Sequence, residues 1–108
     1  MLAGAELYRL LVKSRYRLFD ERNAASSPVC FETFPQAAAC SLAGKIVSAK
    51  RKGVVRRKLL RTAGIDTAPL TNIDVVDAAL CALTAHSLMA GNFKTYGDDR
   101  EGFIVVPA

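Results

Sequence analysis

Two carboxylates three residues apart, Asp74 and Asp77, open the stretch Asp74-Val-Val-Asp-Ala-Ala-Leu-Cys-Ala-Leu-Thr-Ala-His-Ser-Leu-Met-Ala90. With His86 neutral, no charged side chain follows Asp77 until Lys94. On a helix, positions three apart share a face, so both acids point the same way. The rest of the stretch is apolar nearly all round, the pattern of a buried helix. A carboxylate at the edge of such a core is costly unless a cation meets it. A hard divalent cation such as Mg²⁺ prefers carboxylate oxygens and keeps waters that a substrate can displace. Two acids one turn apart can share one ion or hold one each. The ordinary alternative is helix chemistry. Thr71-Asn-Ile-Asp74 has the form of a capping box, and acids favour the positive end of a helix dipole. For Asp74 both readings stand. Asp77 lies a turn further in, shares its face with Ala78, Cys81 and Ala85, and is harder to assign to capping.

Glu32 is the next candidate. It sits inside Val29-Cys-Phe-Glu-Thr-Phe34, a β-branched and aromatic segment where Glu is depleted. Alternation puts Cys30, Glu32 and Phe34 on one face of a strand. Glu32 is then either an exposed edge residue or a third metal carboxylate, brought to the Asp pair by packing of strand on helix.

Basic residues form the third feature. The chain has 108 residues and a net charge of +5, and no acid occurs between Glu32 and Asp66. That interval holds Lys45, Lys50, Arg51, Lys52, Arg56, Arg57, Lys58 and Arg61. Such a run is either a solvated helix face or a surface for a phosphate backbone. His86, on a helix in apolar company, fits a packed or surface histidine better than a catalytic base. There is no GxSxG, no phosphate loop and no supported Cys–His pair. The cysteines, Cys30, Cys40 and Cys81, are odd in number and scattered, which fits small core residues in a reducing compartment. The start carries Glu6 and Arg9 before any long apolar run, so no signal peptide is expected. No run reaches the roughly 18 apolar residues of a membrane span. A cytoplasmic protein with no membrane partner follows.

The elements that must position these groups can be placed along the chain. Residues 4–21 predict an amphipathic helix with Leu7, Leu10, Leu11, Leu18 and Phe19 as its stripe. Asn23–Pro28 is a turn, and residues 29–34 a strand. Pro35 opens a helix running to Ala43, ended by Gly44. Residues 50–63 predict a basic helix with Val54, Val55, Leu59 and Leu60 on its apolar side, ended by Gly64. The Asp helix starts at Thr71 and ends at Gly91. Phe93–Tyr96 and Phe103–Val106 are strands joined by a Gly-bounded hairpin. With 7% aromatic residues and no Trp, the core rests on Ala, Leu, Val and Ile, which is little for a chain this size.

Four blocks in this order resemble a known family. They are Cys30-Phe-Glu-Thr-Phe-Pro35, the basic helix with Arg56, Arg57, Leu59 and Leu60, Asp74-Val-Val-Asp77-Ala-Ala-Leu-Cys-Ala-Leu-Thr-Ala85, and Gly102-Phe-Ile-Val-Val-Pro107. From about Glu6 to Pro107 the chain resembles the C-terminal half of uncharacterised-domain family DUF429, predicted RNase H-like nucleases. The resemblance implies an α/β domain: a helix-rich C-terminal portion of an RNase H-like fold of the resolvase branch, with few strands. It implies Mg²⁺ or Mn²⁺ held by carboxylates, with Glu32 as the middle-strand acid and Asp74 and Asp77 as the late-helix acids. It implies nucleic acid as partner, and the basic residues Lys50, Arg56, Arg57 and Arg61 are the candidates to face it. The family's opening Gly-x-Asp strand has no counterpart here, and neither has the N-terminal meander. Asp20 and Glu21, placed at a helix end, are poor substitutes for its carboxylate.

The expectation is therefore one partial domain over residues 1–108. It would belong to a family of metal-dependent nucleases acting on phosphodiesters, and be weak or inactive alone. It would be a truncated gene product, or would pair with a second chain or another copy that completes the sheet. The alternative is a non-enzymatic nucleic-acid-binding or interaction module working through the basic helix 50–63.

Overall fold

A computed structural model describes residues 2–14, 16–20 and 28–108 of the chain. The elements are α1 (Leu2–Lys13), β1 (Arg17–Leu18), β2 (Val29–Cys30), α2 (Pro35–Ala43), α3 (Lys52–Thr62), α4 (Ile73–Met89), β3 (Phe93–Asp98) and β4 (Gly102–Pro107). The class is mixed α/β and rich in helix, with short strands in two small sheets. β1 and β2 pair in parallel, and β3 and β4 form an antiparallel hairpin. A single parallel bridge between Glu32 and Ile104 joins them, made by the Val105 N–H donating to the Glu32 carbonyl at 2.8 Å.

The helix expected over residues 4–21 is shorter. It ends at Lys13, and Arg17–Leu18 become a strand. Pairing explains the break: the Arg17 N–H donates to the Pro28 carbonyl and the Phe19 N–H to the Cys30 carbonyl, each at 2.8 Å. Phe19 gains burial as well, meeting Phe93 and Phe103 edge-on at 5.8 and 5.9 Å. A continued helix would forgo both. Asp20 consequently follows a strand and does not lie at a helix end. Glu21 and the expected turn, apart from Pro28, lie outside the described residues. The expected strand 29–34 reduces to Val29–Cys30 plus the bridge at Glu32.

α2 begins with Pro35 in its first turn and closes at Gly44, whose φ of 70° is readily adopted by glycine. The Ser41 hydroxyl donates to the Pro107 carbonyl and ties α2 to the end of β4. α4 starts one residue later than the capping-box pattern suggests. Asn72 is the cap: its side-chain oxygen accepts from the Val75 N–H at 3.0 Å. Asn outcompetes Thr71 because its carboxamide reaches the third amide from an extended backbone. The β3–β4 hairpin turns where the Asp98 carboxylate accepts from the Arg100 and Glu101 amides.

Two apolar clusters hold these elements. Ala38, Leu60, Val76 and Leu80 join α2, α3 and α4. Ala38 lets the helices approach closely, so Leu60 and Leu80 reach full burial, worth about 2 kcal/mol each. Phe19, Leu88 and Val105 form the second cluster, between the end of α4 and the strands.

Candidate functional site

The most constrained polar group is Arg56. It projects from α3 on the side that carries Leu60 one turn later, so the helix that buries Leu60 also buries Arg56, which is 5% exposed. Its Nη1 donates to Asp77 Oδ1 at 2.6 Å, the geometry of a strong charge-assisted bond. Its Nη2 donates to Gln36 Oε1 at 3.0 Å. Gln36 is fixed in turn by its Nε2, which donates to the Val47 carbonyl at 2.7 Å and to Cys40 Sγ at 3.7 Å. One guanidinium thus links α2, α3 and α4 and the loop after α2. Its Nε is buried without a partner, as is the Thr33 hydroxyl.

Asp77 belongs to this linkage. It sits on α4 beside the buried Val76, one turn before Leu80, and its side chain keeps 25% exposure. The cation that meets it is Arg56. One turn further on, burial raises the Cys81 thiol pKa, and the Asp77 charge raises it further. Cys30 is raised by burial as well, and all three cysteines are free thiols.

Asp74 is exposed in the first turn of α4, and its side chain does not cap the helix. Glu32 is exposed at the end of the β2 segment, where it lines a pocket of about 330 Å³ with Asp20 and Asp99 over Phe19, Phe31 and Phe103. The chain therefore brings Asp77 to Arg56 and places Glu32 with a different set of acids. Among the described residues no three His, Cys, Asp or Glu side chains come together in a way that could hold a metal ion. The donor set does not fit Mg²⁺ or Mn²⁺: one expected ligand is neutralised by a guanidinium, and another lies in a separate pocket.

The basic residues divide by helical face. Arg56 is internal. Arg57 is half-buried, donating to the Leu70 carbonyl at 3.1 Å and the Gly53 carbonyl at 3.3 Å. Arg61, one turn on, is exposed and donates to Thr67 Oγ1 at 3.3 Å. Lys50 is exposed just ahead of the helix. Lys45, Arg51 and Lys58 belong to the basic run but are not singled out within it by sequence; they rim a groove of about 580 Å³ between α3 and the loop after α2. The signal was available in part: Arg51 and Lys58 are seven apart, hence on one face, with Val54, Val55 and Leu59 beside them. The position of Lys45 depends on the loop path and could not be read.

These features define a mixed α/β protein with a buried arginine–carboxylate linkage and a basic helix whose cations divide between the core and two exposed sides. The chain belongs to the DUF429 family, described as proteins of unknown function, whose model matches residues 2–102. No curated protein and no solved structure matches the chain. Among the described residues no helix is long and apolar enough to cross a membrane.

Proposed function

We propose that this chain is the nucleic-acid-holding part of an RNase H-like nuclease. It grips a phosphate backbone through the α3 side that carries Lys50, Arg57 and Arg61. The supporting observation is the acid-free run from Lys45 to Arg61, in which only Arg56 is drawn into the core and Lys50 and Arg61 stay exposed. Arg57, anchored on the Leu70 and Gly53 carbonyls, holds its guanidinium at a fixed place on that side. Phosphate contacts of this kind position a nucleic acid without reading its sequence.

Phosphodiester hydrolysis with Mg²⁺ or Mn²⁺ is the activity that the resemblance attaches to Glu32, Asp74 and Asp77. With Asp77 engaged by Arg56, that chemistry would need carboxylates beyond these three, supplied by another segment or a second chain. Weak or absent cleavage by residues 1–108 alone is the expected result. The second reading, a binding module with no hydrolytic role, is favoured by the same Arg56–Asp77 bond, which gives Asp77 a structural use.

Fluorescence anisotropy with a labelled duplex tests the binding. The Lys50→Glu/Arg61→Glu variant should bind at least about tenfold more weakly; unchanged affinity would remove the basis of the proposal. Incubation of the same duplex with Mg²⁺ or Mn²⁺ bears on the choice in one direction, because only the nuclease reading allows any cleavage. Cleavage lost in Asp74→Asn, with folding intact, would select the nuclease.

A further inference from the structure

The groove between α3 and the loop after α2 combines two features that a phosphate backbone does not need together. Its floor is aliphatic: Val47, Val54, Val55 and Leu59, with Ile46 on the rim. Ile46 is 92% exposed and Val54 59%, which puts large apolar side chains in water on a folded surface. Its cations are Lys45, Arg51 and Lys58, and no ion pair engages any of them among the described residues. The sequence supplies no acid from Thr33 to Ile65 to neutralise them.

We propose that this groove docks an acidic amphipathic segment of a partner protein. Its apolar side chains would cover Ile46, Val54 and Leu59, and its carboxylates would meet Lys45, Arg51 and Lys58. The dimensions suit such a segment. From Arg51 to Thr62 the α3 wall runs about 16 Å, the length of roughly three helical turns of a bound peptide. Nucleic acid suits it less well. No aromatic side chain lines the groove on which a base could stack, and phosphates leave an aliphatic floor uncovered. A second copy of this chain suits it less well too, because the net charge of +5 and the cations Arg9 and Lys13 on α1 would repel the rim. The docking stripe lies beside the Arg57–Arg61 side, so the proposal stands whether or not that side binds nucleic acid.

The test uses the whole chain and a synthetic helical peptide of about 14 residues, with Leu at positions i, i+3, i+4 and i+7 and Glu elsewhere. A control peptide replaces each Leu by Ser at unchanged charge. Calorimetric titration should show binding of the Leu peptide alone. Ile46→Ser/Val54→Ser and, separately, Lys58→Glu should each weaken it by about tenfold or more. These positions are exposed, so the variants should keep the parent's circular dichroism and melting midpoint. Equal binding of both peptides, or no effect of Ile46→Ser/Val54→Ser, would mean that any polyanion suffices and would overturn the proposal. So would absence of binding, or a sedimentation series showing a dimer that Val54→Ser dissolves.

Discussion

Removal of the Asp77 carboxylate should cost this protein more than removal of the arginine that faces it. Arg56 and Asp77 are paired at 2.6 Å, but their side chains differ in exposure, 6% against 25%. In Asp77→Ala the guanidinium stays buried with Gln36 as its one side-chain partner, and its Nε already lacks one. Breaking a fully buried pair from one side costs about 3–5 kcal/mol. The partial exposure of Asp77 lets water reach the arginine and lowers the figure to about 2–3 kcal/mol. In Arg56→Met the exposed quarter of Asp77 can turn to water while the thioether fills the space, so about 1–2 kcal/mol is expected. The double variant leaves no buried charge and should lie within about 1 kcal/mol of Arg56→Met. Urea denaturation followed by circular dichroism measures all four proteins. Against a total of about 5–15 kcal/mol for a domain of this size, the Asp77→Ala loss is easily resolved. An Asp77→Ala midpoint equal to the parent's, or a larger loss in Arg56→Met, would show that the buried guanidinium does not depend on the Asp77 carboxylate. The same experiment guards the functional test, because an Asp77 variant that loses activity can do so by unfolding. Asp74→Asn and Glu32→Gln, both at exposed positions, are the cleaner probes.

Three other outcomes follow. Asn72→Ala removes the acceptor for the Val75 amide and should cost about 1 kcal/mol in urea melts, while Thr71→Ala should cost markedly less. Gly97 has a φ of 117°, and a Cβ there would collide with the Gly102 carbonyl, so Gly97→Ala should cost about 2 kcal/mol or more and raise amide exchange across the hairpin. The Cys81 thiol holds its proton more tightly folded than unfolded, so its alkylation, mapped by mass spectrometry, should rise at a higher pH in the native chain than in urea. Asp77→Asn should move that rise to lower pH. The corresponding stability contribution is present below the thiol's unfolded pKa and is lost as pH climbs towards the folded value.

Much of the fold was legible where local signals are strong. Pro35 and Gly44 bound α2, the Asp helix ends before Gly91, and the hairpin lies where Gly97 and Gly102 permit it. The sequence misled where pairing with a distant segment decides. Arg17 and Leu18 look helical because Leu18 continues the Leu7–Leu11 stripe, yet the Pro28 carbonyl claims the Arg17 amide and the Cys30 carbonyl the Phe19 amide. The site divides similarly. The need of Asp77 for a cation followed from its place in an apolar helix. That the cation is Arg56 did not follow, because inward and outward arginines look alike in a run such as Val-Val-Arg-Arg-Lys. Only the packing of α3 on α4 distinguishes Arg56, aligned with Leu60, from Arg57. The grouping of Glu32 with Asp20 and Asp99 rests on the β1–β2 pairing and on the Glu32–Ile104 bridge to the hairpin, both between segments distant in sequence.

The salt dependence of duplex binding tests the proposed function most directly. If α3 holds a phosphate backbone, log K should fall linearly with log salt, and the Lys50→Glu/Arg61→Glu variant should show a slope smaller by about 1.8, or about 0.9 for each lost contact. Binding that does not weaken with salt, or a variant slope equal to the parent's, would contradict it.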